Sequence, residues 1–280
     1  MSFRRATTIF LLDIAQGDKP PGPWRLLLES VVAATFGIAC GRLLFPGEAS
    51  LVGVFLVAIG QTRTAERLLD RNRVEVWGGG APARDANARL ATALLVMFLG
   101  VLGTYVAFAL LLPIGTVETM FGRQVGDFGG RSITEVDFGN LPRILGHNLA
   151  VAGVAFLFSL VYRHAGMLLM LAWNASVWGV VFPFTARTAP DVSAAGSVVY
   201  FAKAFVAIFP HLLLEAVSYV LVALAGVFLS KAIRKHKPGT PAFRQVGLAS
   251  ARIGGAGLAM LAVACVLEAQ LAPALISALF

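Results

Sequence analysis

One hydrophobic stretch, residues 203–230, constrains the fold of this chain more than any other feature. Its 28 residues would extend about 40 Å as an α-helix, which exceeds the roughly 30 Å of bilayer hydrocarbon. The stretch therefore predicts a transmembrane helix. His211 and Glu215 lie in its middle at i, i+4 spacing, so they share one face of that helix. Because an acidic group near the centre of a membrane helix costs on the order of 3 kcal/mol, we expect Glu215 to face protein, water or a partner.

The composition indicates an integral membrane protein. Hydrophobic residues make up 58% of the chain and charged residues only 14%, with a net charge of +8. The basic residues gather in short segments between apolar runs, which is typical of cytoplasmic loops and not of a nucleic-acid-binding surface. Cys40 and Cys265 lie in apolar runs, without a second Cys or His at metal-ligand spacing. We therefore expect no metal site, no cofactor and no nucleic acid partner.

The apolar runs predict an all-α fold, a polytopic transmembrane helical bundle of about seven spans. The predicted spans are residues 26–45, 50–60, 90–112, 144–162, 165–184, 203–230 and 253–278. Segment 50–60 is short enough to be either a thin span or a re-entrant hairpin. Basic residues occur both before the first span and after segment 50–60, and loops with many basic residues usually lie in the cytoplasm. If both regions are cytoplasmic, the chain must cross the membrane twice between them. The charge pattern therefore favours a thin span.

Three regions follow from this order. Residues 1–61 are predicted to form an interfacial helix (3–15) and a transmembrane hairpin, and residues 62–89 a basic cytoplasmic loop with a short amphipathic helix at 62–76. Residues 90–280 form a five-span core, with an irregular outer loop at 114–143 and a tight turn at Arg163 and His164. A cytoplasmic N-terminus puts most of the 23 basic residues inside. We therefore expect a multi-pass protein of the cell (plasma) membrane.

The last two spans carry small residues and are joined by the most basic loop of the chain. Gly226, Gly254, Gly255 and Gly257 permit close approach of two helix backbones. We therefore expect these two spans to pack tightly against each other. The basic loop is expected to set the topology and to contact anionic lipid.

Five polar residues within the spans form the candidate site. Asn174, His211, Glu215 and Glu268 lie roughly 12–18 Å from the predicted outer boundary, and Asn148 about 5 Å. Four helices thus bring polar groups to the outer half of the bilayer, which predicts a shared intramembrane cluster. The alternative is that these side chains only make hydrogen bonds that pack helices together.

Pro210, which is next to the cluster, and the charge state of Glu215 within it extend this prediction. Pro210 lacks a backbone N–H and is expected to kink or open the helix just before His211. Glu215 is expected to be protonated or paired with His211, because burial disfavours a carboxylate charge.

From residue 90 onward the motif order resembles the stage II sporulation protein M family of integral membrane proteins. That family has an Asn pair, an Asn-Gly, a Pro-His-Gly followed by Glu, and an acidic residue with a Pro, in successive spans. The corresponding positions here are His147-Asn148, Asn174-Ala175, Pro210-His211-Leu212 with Glu215, and Glu268 with Pro273. One Asn and two glycines of the family pattern are replaced, by His147, Ala175 and Leu212. The resemblance implies a non-enzymatic membrane component that anchors an envelope-remodelling complex.

Three functions follow from these observations. The first is a scaffold or anchor whose partners are membrane or envelope proteins and the lipid bilayer; self-association into a homo-oligomer stays open. The second is a transporter or proton-coupled component that uses the His/Glu/Asn cluster. The third is an intramembrane enzyme, which the absence of an H-E-x-x-H motif or a nucleophile set disfavours. The sequence favours the scaffold.

Overall fold

The computed structural model describes residues 21–77, 82–126, 139–189 and 196–280. In these ranges the chain is helical, and its secondary structure contains no strand. The α-helices in chain order are α1 (Pro23–Leu44), α2 (Ala49–Trp77), α3 (Ala83–Leu111), α4 (Ile114–Val125), α5 (Leu141–Tyr162), α6 (His164–Thr188), α7 (Ser197–Lys235) and α8 (Pro241–Leu279). The predicted interfacial helix at 3–15 lies outside the described residues.

Six helices are long and apolar enough to cross a membrane, namely α1, α3, α5, α6, α7 and α8. This confirms the predicted polytopic helical bundle. Segment 50–60 is the first part of α2, a single helix that continues through the predicted amphipathic segment to Trp77. Because the second half of α2 is polar, the helix as a whole is not among the candidate spans that are selected by hydropathy. A crossing by residues 50–60 stays a prediction.

Residues 62–76 are helical as predicted, but they belong to the longer α2 and do not form a short separate helix. Two segments that were expected to be loops also contain helix. Residues 83–89 of the predicted basic loop belong to α3. The predicted irregular outer loop at 114–143 begins with α4, and that part of the prediction is wrong. Helix α4 forms because Val117, Met120, Phe121 and Val125 recur at helical spacing and are buried against the bundle. Residues 127–138 of this loop lie outside the described residues.

The tight turn between α5 and α6 is confirmed. Helix α5 ends at Tyr162 and α6 begins at His164, with Arg163 between them in the left-handed backbone region at a φ of 60°. His164 Nε2 lies 3.1 Å from a carboxylate oxygen of Glu66 on α2. The turn is thereby attached to the first hairpin of the chain.

Helices α7 and α8 form an antiparallel pair along most of their length. Each has 39 residues, or about 58 Å, so both extend well past the predicted spans into the basic segment between them. Ser218 donates a hydrogen bond to the Gly257 carbonyl at 2.8 Å, and Ser250 donates one to the Ala225 carbonyl at 2.7 Å. The predicted close packing is confirmed at Gly257, where an added Cβ would lie 3.1 Å from the Ser218 carbonyl oxygen.

An ion pair closes the opposite end of the bundle from the α7–α8 turn. Arg123 on α4 contacts both carboxylate oxygens of Glu48, at 2.9 and 2.7 Å. The hydrogen bonds from Arg123 and its positive charge hold the pKa of Glu48 below its ordinary value. Glu48 directly precedes α2 and ends the turn that follows α1, so this pair joins the α1–α2 turn to α4.

Gly226 on α7 faces α5 and allows a direct test of the packing between these two helices. We expect Gly226→Ala to lower the melting temperature in detergent, because the new Cβ would lie 2.6 Å from the Phe156 carbonyl oxygen on α5. Overpacking of this kind costs about 1–3 kcal/mol. Gly255→Ala is the matched control, since no atom lies within 4 Å of its added Cβ. Equal melting temperatures for the two variants would contradict this packing.

Candidate intramembrane polar cluster

Helices α5, α7 and α8 bring together a buried cluster centred on Asn148. The Asn148 Nδ2 donates a hydrogen bond to Glu215 Oε1 at 2.8 Å and lies 3.5 Å from Glu268 Oε2. The same nitrogen lies 3.6 Å from Cys265 Sγ. Tyr219 Oη donates a hydrogen bond to Asn148 Oδ1 at 3.1 Å. We call these five residues the Asn148 cluster.

Helical spacing explains how the cluster assembles. Glu215 and Tyr219 are four residues apart on α7, and Cys265 and Glu268 are three apart on α8, so each pair shares one helix face. Asn148 lies in the second turn of α5 and faces both pairs. Glu268 is partly exposed, whereas the other four members are buried.

The cluster can hold both hydrogen bonds and a proton. Asn148 has two N–H donors with three acceptors in range, and its single carbonyl oxygen accepts from Tyr219. Glu215 and Glu268 also share one donor, the Asn148 Nδ2, which brings their carboxyl groups close together. Two neighbouring carboxyl groups favour a proton on one of them, because two negative charges repel each other. The site can therefore bind three helices together and carry an exchangeable proton.

The other two predicted members do not join the cluster through hydrogen bonds. Asn174 Nδ2 donates to the Met170 carbonyl of its own helix at 2.8 Å. His211 is buried on α7, and among the described residues its imidazole makes no hydrogen bond and no ion pair. Glu215 accepts its hydrogen bond from Asn148. Of the two expected states of Glu215, pairing with His211 is therefore wrong, and a protonated carboxyl group stays a prediction.

The backbone of α7 continues through Pro210 without interruption. The Pro210 ring removes one backbone donor, yet the helix extends 25 residues beyond it to Lys235. The expected opening of the helix is therefore not found, and the kink at Pro210 stays a prediction.

Sequence reasoning missed Tyr219 and Cys265. The sequence contains a signal for Tyr219. This residue lies one turn after Glu215 on the same helix face, and a buried tyrosine hydroxyl usually makes a hydrogen bond. Trp178 on α6 packs beside Tyr219, with ring centroids 6.2 Å apart. In the sequence analysis Cys265 is tested only as a metal ligand, whereas the useful signal is its position one turn before Glu268 on the same helix.

A second buried polar network was also missed. Gln124 on α4 accepts a hydrogen bond from Ser50 on α2 and donates one to Ser176 Oγ on α6 at 3.2 Å. It could not be found from the sequence, because residues 114–143 were assigned to a loop and these three residues are distant along the chain. The network joins the short α4 to two longer helices.

The described residues contain no group of three or more His, Cys, Asp and Glu side chains arranged to hold a metal ion.

The fold and the cluster define an integral membrane protein built from a bundle of helices. Comparisons with protein-family models, curated proteins and solved structures found no match for this chain. The resemblance to the stage II sporulation protein M family stays a prediction from the motifs.

The two asparagines allow a test of the cluster. We expect Asn148→Ala to destabilise the protein by about 1–3 kcal/mol, because Glu215 and Tyr219 would lose their shared buried partner. Asn174→Ala is the matched control and should cost about 0.6 kcal/mol or less, since only a bond within one helix is lost. The measurement is thermal unfolding in one detergent, followed by circular dichroism. An Asn174→Ala loss as large as that of Asn148→Ala would contradict the central role of Asn148.

Proposed function

We propose that this chain is a non-enzymatic scaffold or anchor that holds a complex of membrane or cell-envelope proteins. The observation that carries the proposal is the closure of the Asn148 cluster. Its polar groups are bonded to one another across α5, α7 and α8. Such a network favours one fixed arrangement of helices, which is what an anchor for other proteins needs.

The packing of α7 against α8 supports the same function. Two serine hydroxyls bridge the pair, and Gly257 allows the backbones to approach closely. Transporters commonly build their sites from discontinuous helices that rearrange around the substrate. The regular backbone of α7 and its long contact with α8 favour a static role over alternating access.

Partners have free surface available on the outer helices. Only 22% of the most apolar stretch of α5 and 28% of that of α8 is buried, against 67% in both α6 and α7. We propose that these outer faces contact lipid and partner proteins, and that the chain resides in the plasma membrane with its N-terminus in the cytoplasm. The excess of basic residues at that end supports this orientation.

A second candidate function is that of a proton-coupled membrane component. One observation favours it: the carboxyl groups of Glu215 and Glu268 share one donor, the Asn148 amide. Paired carboxyl groups inside a membrane bundle are typical of proton relays. The two functions differ in whether the Glu215 carboxyl must ionise.

Two substitutions of Glu215 separate these functions. The tagged chain is recovered from its native membrane in nanodiscs, and stoichiometric partners are identified by mass spectrometry. A scaffold should lose partners severalfold with Glu215→Ala, because the tie between α5 and α7 is removed. It should keep them with Glu215→Gln, whose amide oxygen still accepts the bond from Asn148 but cannot ionise.

A proton-coupled component should give a different result for the same two substitutions of Glu215. Both variants would retain any partners, and both would lose pH-dependent flux in liposomes. Partner recovery that is unchanged in Glu215→Ala would contradict the scaffold. Asn174→Ala serves as the control for nonspecific effects of a substitution inside the bundle.

A further inference from the structure

A pocket lies at the opposite end of α7 and α8 from the Asn148 cluster. It opens between the α2–α3 hairpin and the α7–α8 hairpin, and its volume is about 260 Å³. Asn72 on α2 donates a hydrogen bond to Asn87 Oδ1 on α3 at 2.9 Å, which fixes one side of the pocket. The pocket is just below the roughly 300–1,000 Å³ of sites for drug-sized ligands, so its size suits a small chemical group.

The charged groups that line the pocket are cationic. Lys231 and Lys235 on α7 and Arg252 on α8 all border it, and Arg73 on α2 faces them. The charge of Arg73 is partly offset by Asp70, 3.8 Å away. In the described part of the chain the other three cations form no ion pair, and no acidic side chain lines the pocket. An anionic ligand is therefore favoured.

Apolar side chains form another part of the wall. Leu69 on α2, Phe228 on α7 and Val246 on α8 line the same space as the cations. Lys231 follows the predicted span 203–230 directly, and Arg252 precedes the predicted span 253–278. The pocket therefore lies where the hydrocarbon of a bilayer meets its headgroups. A ligand with an anionic head and an apolar body matches this wall.

We propose that this pocket binds the phosphate-bearing headgroup of one anionic phospholipid. Lys231 and Arg252 contact the phosphate from two sides, and the apolar wall contacts the glycerol and the start of the acyl chains. Basic pockets between membrane helices bind anionic lipid headgroups in this way. The binding goes beyond a general attraction of the basic loop to the membrane, because it uses specific cations from two helices. It does not depend on the proposed scaffold function.

Two double variants of equal charge test the proposal. Lys231→Gln with Arg252→Gln removes two cations from the pocket. Arg234→Gln with Arg244→Gln removes two exposed cations from the same segment that do not line it. The delipidated full chain is titrated with phosphatidylglycerol or phosphatidylcholine, and bound lipids are counted by native mass spectrometry. Glycerol 3-phosphate, added first at an equal concentration and then in excess, tests whether a soluble anion occupies the same site.

The proposal expects one tightly bound phosphatidylglycerol. The pocket variant should bind it about 25-fold more weakly, because each of the two cations contributes about fivefold, and the exposed variant should bind it nearly as the wild type does. Equal weakening in both variants would overturn the proposal, as would equal binding of phosphatidylcholine. Displacement of the lipid by an equal concentration of glycerol 3-phosphate would also overturn it, because the apolar wall would then add nothing to the affinity. Displacement that requires a large excess is expected of a site that binds the phosphate.

A further variant separates binding from folding. Val246→Trp removes no charge and fills the pocket, so it should also abolish the tight phosphatidylglycerol site. Melting temperatures in phosphatidylcholine establish that each variant is folded. Full retention of the lipid by a folded Val246→Trp variant would show that the pocket is not the binding site.

Discussion

The arrangement of the bundle depends on the cost of burying the Glu215 carboxyl among membrane helices. A carboxyl group without a partner in that environment is strongly unfavourable, whichever protonation state it adopts. Asn148 on α5 provides the partner, and Glu268 on α8 completes the arrangement. Since these three residues come from three helices, satisfying one carboxyl group sets the relative positions of α5, α7 and α8. The tyrosine hydroxyl of Tyr219 then satisfies the remaining acceptor of the same amide.

The α7–α8 hairpin links two sites of different chemistry. At one level the pair carries the Asn148 cluster, whose polar groups are bonded to one another. Near the turn it carries a cationic pocket that is open to an anionic ligand. Serine hydroxyls and glycines hold the two backbones together between these sites. A tightly packed pair of helices suits a protein that holds its partner proteins and a bound lipid at fixed positions relative to each other.

Much of the fold could be predicted from hydropathy alone. The spans at 144–162 and 165–184 agree with α5 and α6 within a few residues, because a bilayer imposes a minimum length on an apolar run. The helical extension of α7 and α8 through the basic segment was not predicted. An apolar run stops at the first charged residues, whereas a helix can continue through them. Helix α4 was missed for a related reason: its apolar positions are few and lie beside a Gly-rich stretch.

The sequence by itself determined that this is a helical membrane protein and that polar groups enter its spans. Composition and run length suffice for this, because the bilayer acts on each segment separately. Only the tertiary structure decided which polar groups meet. Asn148 and Glu215 bond across helices, whereas Asn174 turns back to its own helix and His211 stays outside the network. Rotation of each helix about its axis makes this selection, and rotation depends on side-chain packing between helices, which no single segment encodes.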